Sequence, residues 1–148
     1  MATPPSGTGF ALTLERDFKA PPERVFEAFT TAEKLARWFG PSDDYTCTVH
    51  ECDVRTGGRY RIEMKHKGGN VHIVLGTYER VTRPSQLVFT FGWETNPAFG
   101  VSRVTVNFEA RDSGTRLILV QEHFTTAEIR DGHDAGWNGS LARLARLF

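Results

Sequence analysis

Five histidines (His50, His66, His72, His123 and His133) and two cysteines (Cys47 and Cys52) are the residues of this chain best suited to metal or acid–base chemistry. Their spacing argues against both. His50 and Cys52 stand two apart on a run that reads as a strand, so they share a face. A zinc site usually takes at least three protein ligands, and neither H-E-x-x-H nor C-x-x-C occurs. No metal is therefore expected. Cys47 and Cys52, five apart on that strand, should point to opposite faces and stay unpaired. His133 lies beside Asp134 on a helical pattern, but adjacent helical residues point apart, and His133 is expected at the surface. There is no G-x-S-x-G and no Gly-rich phosphate loop before a helix. Gly57-Gly58 falls in a hairpin, which excludes a dinucleotide fingerprint. No catalytic residue and no cofactor are expected.

The aromatic residues offer more, with 11 Phe, 3 Trp and 3 Tyr in 148 residues. Trp38 and Phe39 end a short helical pattern, Trp93 and Phe99 flank a Pro/Gly loop, and Trp137 faces inward from the last helix. Ligand pockets are mostly apolar with a few polar groups. These rings are candidate pocket walls, with Trp93 at the mouth; core packing is the competing use of the same side chains.

The elements that must position them follow from periodicity. Phe10 to Phe18 alternates as a first strand, and Pro22 suits the first turn of a helix carrying Val25, Phe26 and Phe29. Thr31 is placed to cap a second short helix with Leu35, Trp38 and Phe39, stopped by Gly40-Pro41. From residue 45 the period becomes two, with strands expected at 46–54, 59–65, 71–81, 87–93, 101–111 and 116–124. In the second of these Tyr60, Ile62 and Met64 should face the interior, and Arg59, Arg61, Glu63 and Lys65 solvent. On the last, Leu117, Leu119, Gln121 and His123 share one face and Ile118, Val120, Glu122 and Phe124 the other; one polar pair must lie toward the interior. Ala127 to Phe148 reads as one amphipathic helix, since Trp137, Leu141, Leu144, Ala145 and Phe148 follow the spacing of one face. Thr125 and Glu128 have capping-box spacing at its start. Gly132, Gly136 and Gly139 interrupt it, each costing about 1 kcal/mol relative to Ala. They suggest close approach to the sheet, or room left for a ligand. A single long helix closing a strand-rich chain has the concave face of an antiparallel sheet to cover.

Ala20-Pro-Pro-Glu-Arg-Val-Phe26, Leu35-Ala-Arg-Trp-Phe-Gly-Pro41, Asp53-Val-Arg-Thr-Gly-Gly-Arg-Tyr60, Gly76-Thr-Tyr-Glu-Arg-Val81, Pro84-Ser-Gln-Leu-Val-Phe-Thr90, Gly114-Thr-Arg-Leu117 and Gly136-Trp137 run in an order that resembles the START-like, or SRPBCC, superfamily. Within it the chain is similar to the branch named after the C-terminal domain of the activator of the heat-shock protein 90 ATPase. The resemblance implies an α+β helix-grip (Bet v 1-like) fold: a curved antiparallel sheet of about six to seven strands around a long C-terminal helix, with two short helices after the first strand. It also implies a pocket between sheet and helix for an apolar or amphipathic small molecule. In that pattern Leu117 and Leu119 are the core side, so Gln121 and His123 are expected at the cavity end, satisfied by water or ligand. Trp38, Phe39, Tyr60, Ile62, Met64, Phe91, Trp93, Phe99, Gln121, His123 and Trp137 are thus the candidate ligand-binding residues. A chaperone-linked interaction module and a cyclase- or hydrolase-type enzyme are the alternatives.

Composition bounds the rest. Eighteen Lys+Arg balance 18 Asp+Glu, for a formal net charge of 0. Non-specific nucleic-acid binding relies on many cations, so it is not expected. No apolar run approaches the roughly 20 residues of a membrane span. Residues 1–9 read as a disordered leader without signal-peptide character, residues 10–148 as one domain, and the cytoplasm as its compartment. A homodimer is left open.

Overall fold

The computed structural model describes residues 9–148, so the leader expected over 1–9 lies almost wholly outside the described residues. Seven strands alternate with three helices: β1 (Phe10–Phe18), α1 (Pro22–Thr30), α2 (Ala32–Trp38), β2 (Tyr45–Cys52), β3 (Arg59–His66), β4 (Val71–Thr82), β5 (Gln86–Trp93), β6 (Val101–Arg111), β7 (Gly114–Phe124) and α3 (Ala127–Ala145). A 3-10 turn at Pro97–Phe99 interrupts the loop between β5 and β6.

The strands form one sheet in the order β1-β7-β6-β5-β4-β3-β2. Neighbours from β2 to β7 are joined in sequence, as short turns require. The exception is β1, which pairs antiparallel with β7 and so brings the first and last strands together. Helices α1 and α2 span the gap between the two edge strands β1 and β2. Their apolar faces, Val25, Phe26, Phe29, Leu35 and Trp38, are buried. Strand alternation sends Leu87, Phe89, Phe91, Val104, Val106, Phe108, Leu117 and Leu119 to the same interior. Tyr60, Ile62 and Met64 are buried beside them, and Arg61 pairs with Glu94 on the outer face. Gly76 makes this packing possible. A Cβ there would sit 1.9 Å from the Thr90 carbonyl and 2.9 Å from the Tyr60 ring. This is helix-grip architecture.

Local irregularities overturn several expectations. The β2–β3 register shifts between Val49 and Glu51. That bulge turns Cys52 inward, opposite Tyr60, onto the same side as Cys47 rather than the other. It also separates Cys52 from His50, which bonds Glu63 on the outer face at 2.9 Å. Both cysteines are free thiols. Thr126, not Thr125, is the N-cap of α3, its side chain accepting from the Ile129 N–H at 3.2 Å. The helix ends at Ala145, short of Phe148. Thr31 does precede α2, but its hydroxyl makes no capping bond. Among the described residues no helix is long and apolar enough to cross a membrane.

Candidate functional site

Helix α3 is buried most deeply at one end. Its buried residues, Trp137, Ser140, Leu141 and Leu144, all lie in its second half. There the Gly40-Pro41 linker presses against it. The Gly40 N–H donates to Ser140 Oγ at 3.2 Å, and Gly40 holds φ +133°, a conformation that suits glycine. Arg143 adds a clamp: its guanidinium donates to the carbonyls of Arg37, Trp38 and Gly40 and pairs with Asp43. These contacts cap the last turn of α2 with a cation. A Cβ on Gly139 would lie 2.0 Å from the Pro41 carbonyl oxygen.

The first half of α3 reaches the sheet through Ile129 and His133 and leaves space beside them. Beneath it opens a cavity of about 560 Å³, within the usual range for small-molecule sites. From α3 it is lined by Glu128, Ile129, Gly132, His133, Gly136, Trp137 and Ser140, a single helical stripe. The sheet supplies Tyr45 from β2, Met64 from β3, His72 from β4, and Phe91 and Trp93 from β5. Thr95, Asn96 and Phe99 come from the β5–β6 loop, and Phe39 and Pro41 from the linker after α2. A Cβ added at Gly132 or Gly136 meets nothing within 4 Å. The three glycines therefore divide: Gly139 permits close approach, while Gly132 and Gly136 leave space.

Two hydrogen-bond chains hold the aromatic wall. Trp137 Nε1 donates to Gln121 Oε1 at 2.7 Å, Gln121 Nε2 donates to Ser102 Oγ at 2.7 Å, and Ser102 Oγ donates to the Phe91 carbonyl at 3.2 Å. Every polar atom of this fully buried amide chain is thus used within the protein. In the second chain, Trp93 Nε1 donates to His133 Nε2 at 2.8 Å, and His133 Nδ1 contacts the Ile129 carbonyl at 2.7 Å. An indole can only donate and a carbonyl only accept, so these partners select the neutral imidazole protonated on Nδ1. Burial holds the His133 pKa below the usual imidazole value, opposed by the bond to Ile129. Its ring sits among Phe91, Trp93, Phe99 and Phe124, with centroids 4.9–6.2 Å away.

Of the residues singled out from the sequence, Phe39, Met64, Phe91, Trp93, Phe99 and Trp137 meet in this cavity. Trp38, Tyr60 and Ile62 lie deeper, around a void of about 20 Å³, room for about one water. Trp38 is a core anchor there, its indole N–H bonded to the Ala28 carbonyl at 2.9 Å. Tyr60 donates its hydroxyl to the Thr90 carbonyl at 2.6 Å, and burial pushes its pKa well up. Gln121 lies behind Trp137 and is satisfied by protein, not by water or ligand. His123 leaves the interior: with φ 75° it breaks the alternation of β7, pairs with Glu122 at 3.0 Å, and lets Phe124 turn inward instead.

His133 is the largest correction. It is half-buried at the centre of an aromatic cluster, not exposed. Its neighbour Asp134 was a distraction, because the partners that matter are Ile129, four residues back, and Trp93 across the cavity. The signal was present in the stripe 129-133-136-137-140, which marks one face of α3. The β5–β6 loop residues Thr95 and Asn96 carried no such periodicity. Among the described residues no group of three or more His, Cys, Asp or Glu is arranged to hold a metal ion.

Solved structures share this architecture. A protein of Chromobacterium violaceum is 31% identical, with 93% of this chain and 95% of that one covered and a TM-score of 0.86. The AHSA1 protein of Silicibacter pomeroyi is 29% identical over 93% and 96% of the two chains, TM-score 0.80. An AHSA1-like protein of Aeromonas hydrophila is 26% identical over 93% and 90%, TM-score 0.76. No curated protein matches the chain. Residues 19–148, from the loop before α1 through α3, match the family described as "Activator of Hsp90 ATPase homolog 1-like protein", and the chain belongs to that family.

Proposed function

We propose that residues 10–148 act as one START-like domain that binds an apolar or amphipathic small molecule in the cavity between the sheet and α3. The observation that carries this reading is the pair Gly132 and Gly136. Both line the cavity with nothing within 4 Å of an added Cβ, Gly136 half-buried and Gly132 at the exposed rim, where alanine would add about 1 kcal/mol of helix stability each. The wall opposite is largely aromatic, with polar groups at Tyr45, His72, Thr95 and Asn96, while α3 itself contributes Glu128 at the rim. That composition fits ligand capture by burial, with orientation set by a few polar contacts.

Binding is favoured over catalysis by the state of His133. Both its ring nitrogens are engaged, so taking a substrate proton would first break the bond to Trp93. The family description refers to activation of an Hsp90 ATPase. A role of that kind would use an outer surface, and no observation on this chain favours it over the cavity.

The test is a titration with N-phenyl-1-naphthylamine, a neutral apolar fluorophore, on the protein and on Gly136→Leu. Leucine at 136 projects into the cavity and is a better helix former than glycine. Fluorescence should rise on binding to the native chain, and affinity should fall at least tenfold in the variant with no loss of thermal stability. Undiminished affinity in Gly136→Leu would sink the reading. Native mass spectrometry of the purified protein then seeks a ligand carried from the host.

A further inference from the structure

The charge of the cavity lining is one-sided. Among its described residues there is no lysine or arginine, and its one carboxylate is Glu128. Glu128 sits in the first turn of α3, where the helix dipole favours a negative charge. Nearby charges are already spent: Arg130 pairs with Asp131 and His123 with Glu122, leaving Glu128 without an ion-pair partner among the described residues. Arg143 lies behind Gly40, but its guanidinium is held by three carbonyls and Asp43. His133 is fixed as a neutral imidazole between an indole donor and a carbonyl acceptor. An anionic head entering this cavity would meet no cationic lysine or arginine side chain, only the N-terminal dipole of α3, already matched by the Glu128 carboxylate, and the His72 ring, an ordinary imidazole being neutral at pH 8. A cationic head at the rim would be drawn by the exposed Glu128 carboxylate and by the aromatic rings of Trp93 and Phe99, which attract cations through the ring quadrupole.

We infer that the ligand of this cavity is an amphiphile with an apolar body and a cationic or neutral head, an amine or quaternary ammonium being preferred, and that Glu128 sets this preference. The inference rests on the cavity-binding reading above and adds the sign of the ligand's charge.

Calorimetric titrations with dodecyltrimethylammonium, dodecanol and dodecanoate test it. They share a C12 chain and differ in head charge. Each is used below its aggregation limit, at pH 8, above the ordinary imidazole range. The cation is expected to bind tightest and the carboxylate weakest, at least tenfold apart. Glu128→Gln should weaken the cation about threefold, in line with the loss of one exposed ion pair, and leave dodecanol unchanged. Dodecanoate binding as tightly as the cation, with displacement by N-phenyl-1-naphthylamine, would overturn the inference while the cavity reading stood. Cation affinity unchanged in Glu128→Gln would overturn the role of Glu128. Binding of none of the three would overturn the inference together with the cavity reading.

Discussion

Three single glycine-to-alanine changes in α3 should give opposite results although they lie within eight residues of one another. At Gly132 and Gly136 the new methyl meets nothing within 4 Å. The change then expresses helix propensity alone, a gain of about 0.8–1 kcal/mol each. For a chain of this size that is roughly 2–4 °C in Tm per substitution. At Gly139 the methyl would stand 2.0 Å from the Pro41 carbonyl oxygen and 3.1 Å from Pro41 Cα. The obstacle is backbone, in a linker fixed by Ser140 and Arg143, so α3 or the linker must shift. Overpacking of this kind costs about 1–3 kcal/mol, which exceeds the propensity gain and makes Gly139→Ala a net loss. Far-UV circular dichroism during heating and urea unfolding reads all three. The double variant Gly132→Ala/Gly136→Ala should gain about twice the single effect, since helix propensity adds residue by residue and two methyls at i and i+4 interact only weakly. A stabilised Gly139→Ala, or destabilisation at both 132 and 136, would refute the account of α3 as a helix in close backbone contact at Gly139 and facing open space at Gly132 and Gly136.

Gln121→Leu should destabilise by about 1–3 kcal/mol in urea, because it strands the buried Trp137 N–H and takes away the donor to the Ser102 hydroxyl. Burial holds His133 below the usual imidazole pKa. The folded state then binds fewer protons than the unfolded one as pH falls through the unfolded imidazole value near 6.5 toward the lower folded value, so stability is full above that window and declines through it. His133→Gln should flatten that part of a Tm-against-pH profile; an unchanged slope would assign it to other groups. Burial raises the Cys47 thiol to about 11, so iodoacetamide at pH 8 should leave it unmodified in the folded protein and alkylate it in urea, as read by mass spectrometry.

Much of the fold and part of the site could be read directly from the sequence, and the reason is periodicity. Alternating apolar residues at 60-62-64, 87-89-91 and 104-106-108 define strand faces wherever a strand is regular, because side chains switch sides at every residue. The stripe ending in Leu141 and Leu144 does the same for the docked half of α3. The ordered set of short motifs carried the family. Failures fall where regularity breaks. One extra residue in β2 reversed Cys52, and one positive φ at His123 exchanged it for Phe124. A single residue suffices because a one-step slip changes the face of everything after it.

What only the tertiary structure decided is which groups satisfy one another. Gln121 meets Trp137 and Ser102, and His133 meets Trp93, across distances in sequence that no local pattern encodes. Pairing of β1 with β7 is of the same kind. The three glycines of α3 are alike in sequence, and each lowers helix propensity equally. Only the presence of the Pro41 carbonyl at one, and of open cavity at the other two, separates a packing requirement from a space kept free. Sequence sets local propensity and pattern; the environment of a side chain comes from remote segments, and it is that environment which assigns a polar or small residue its role.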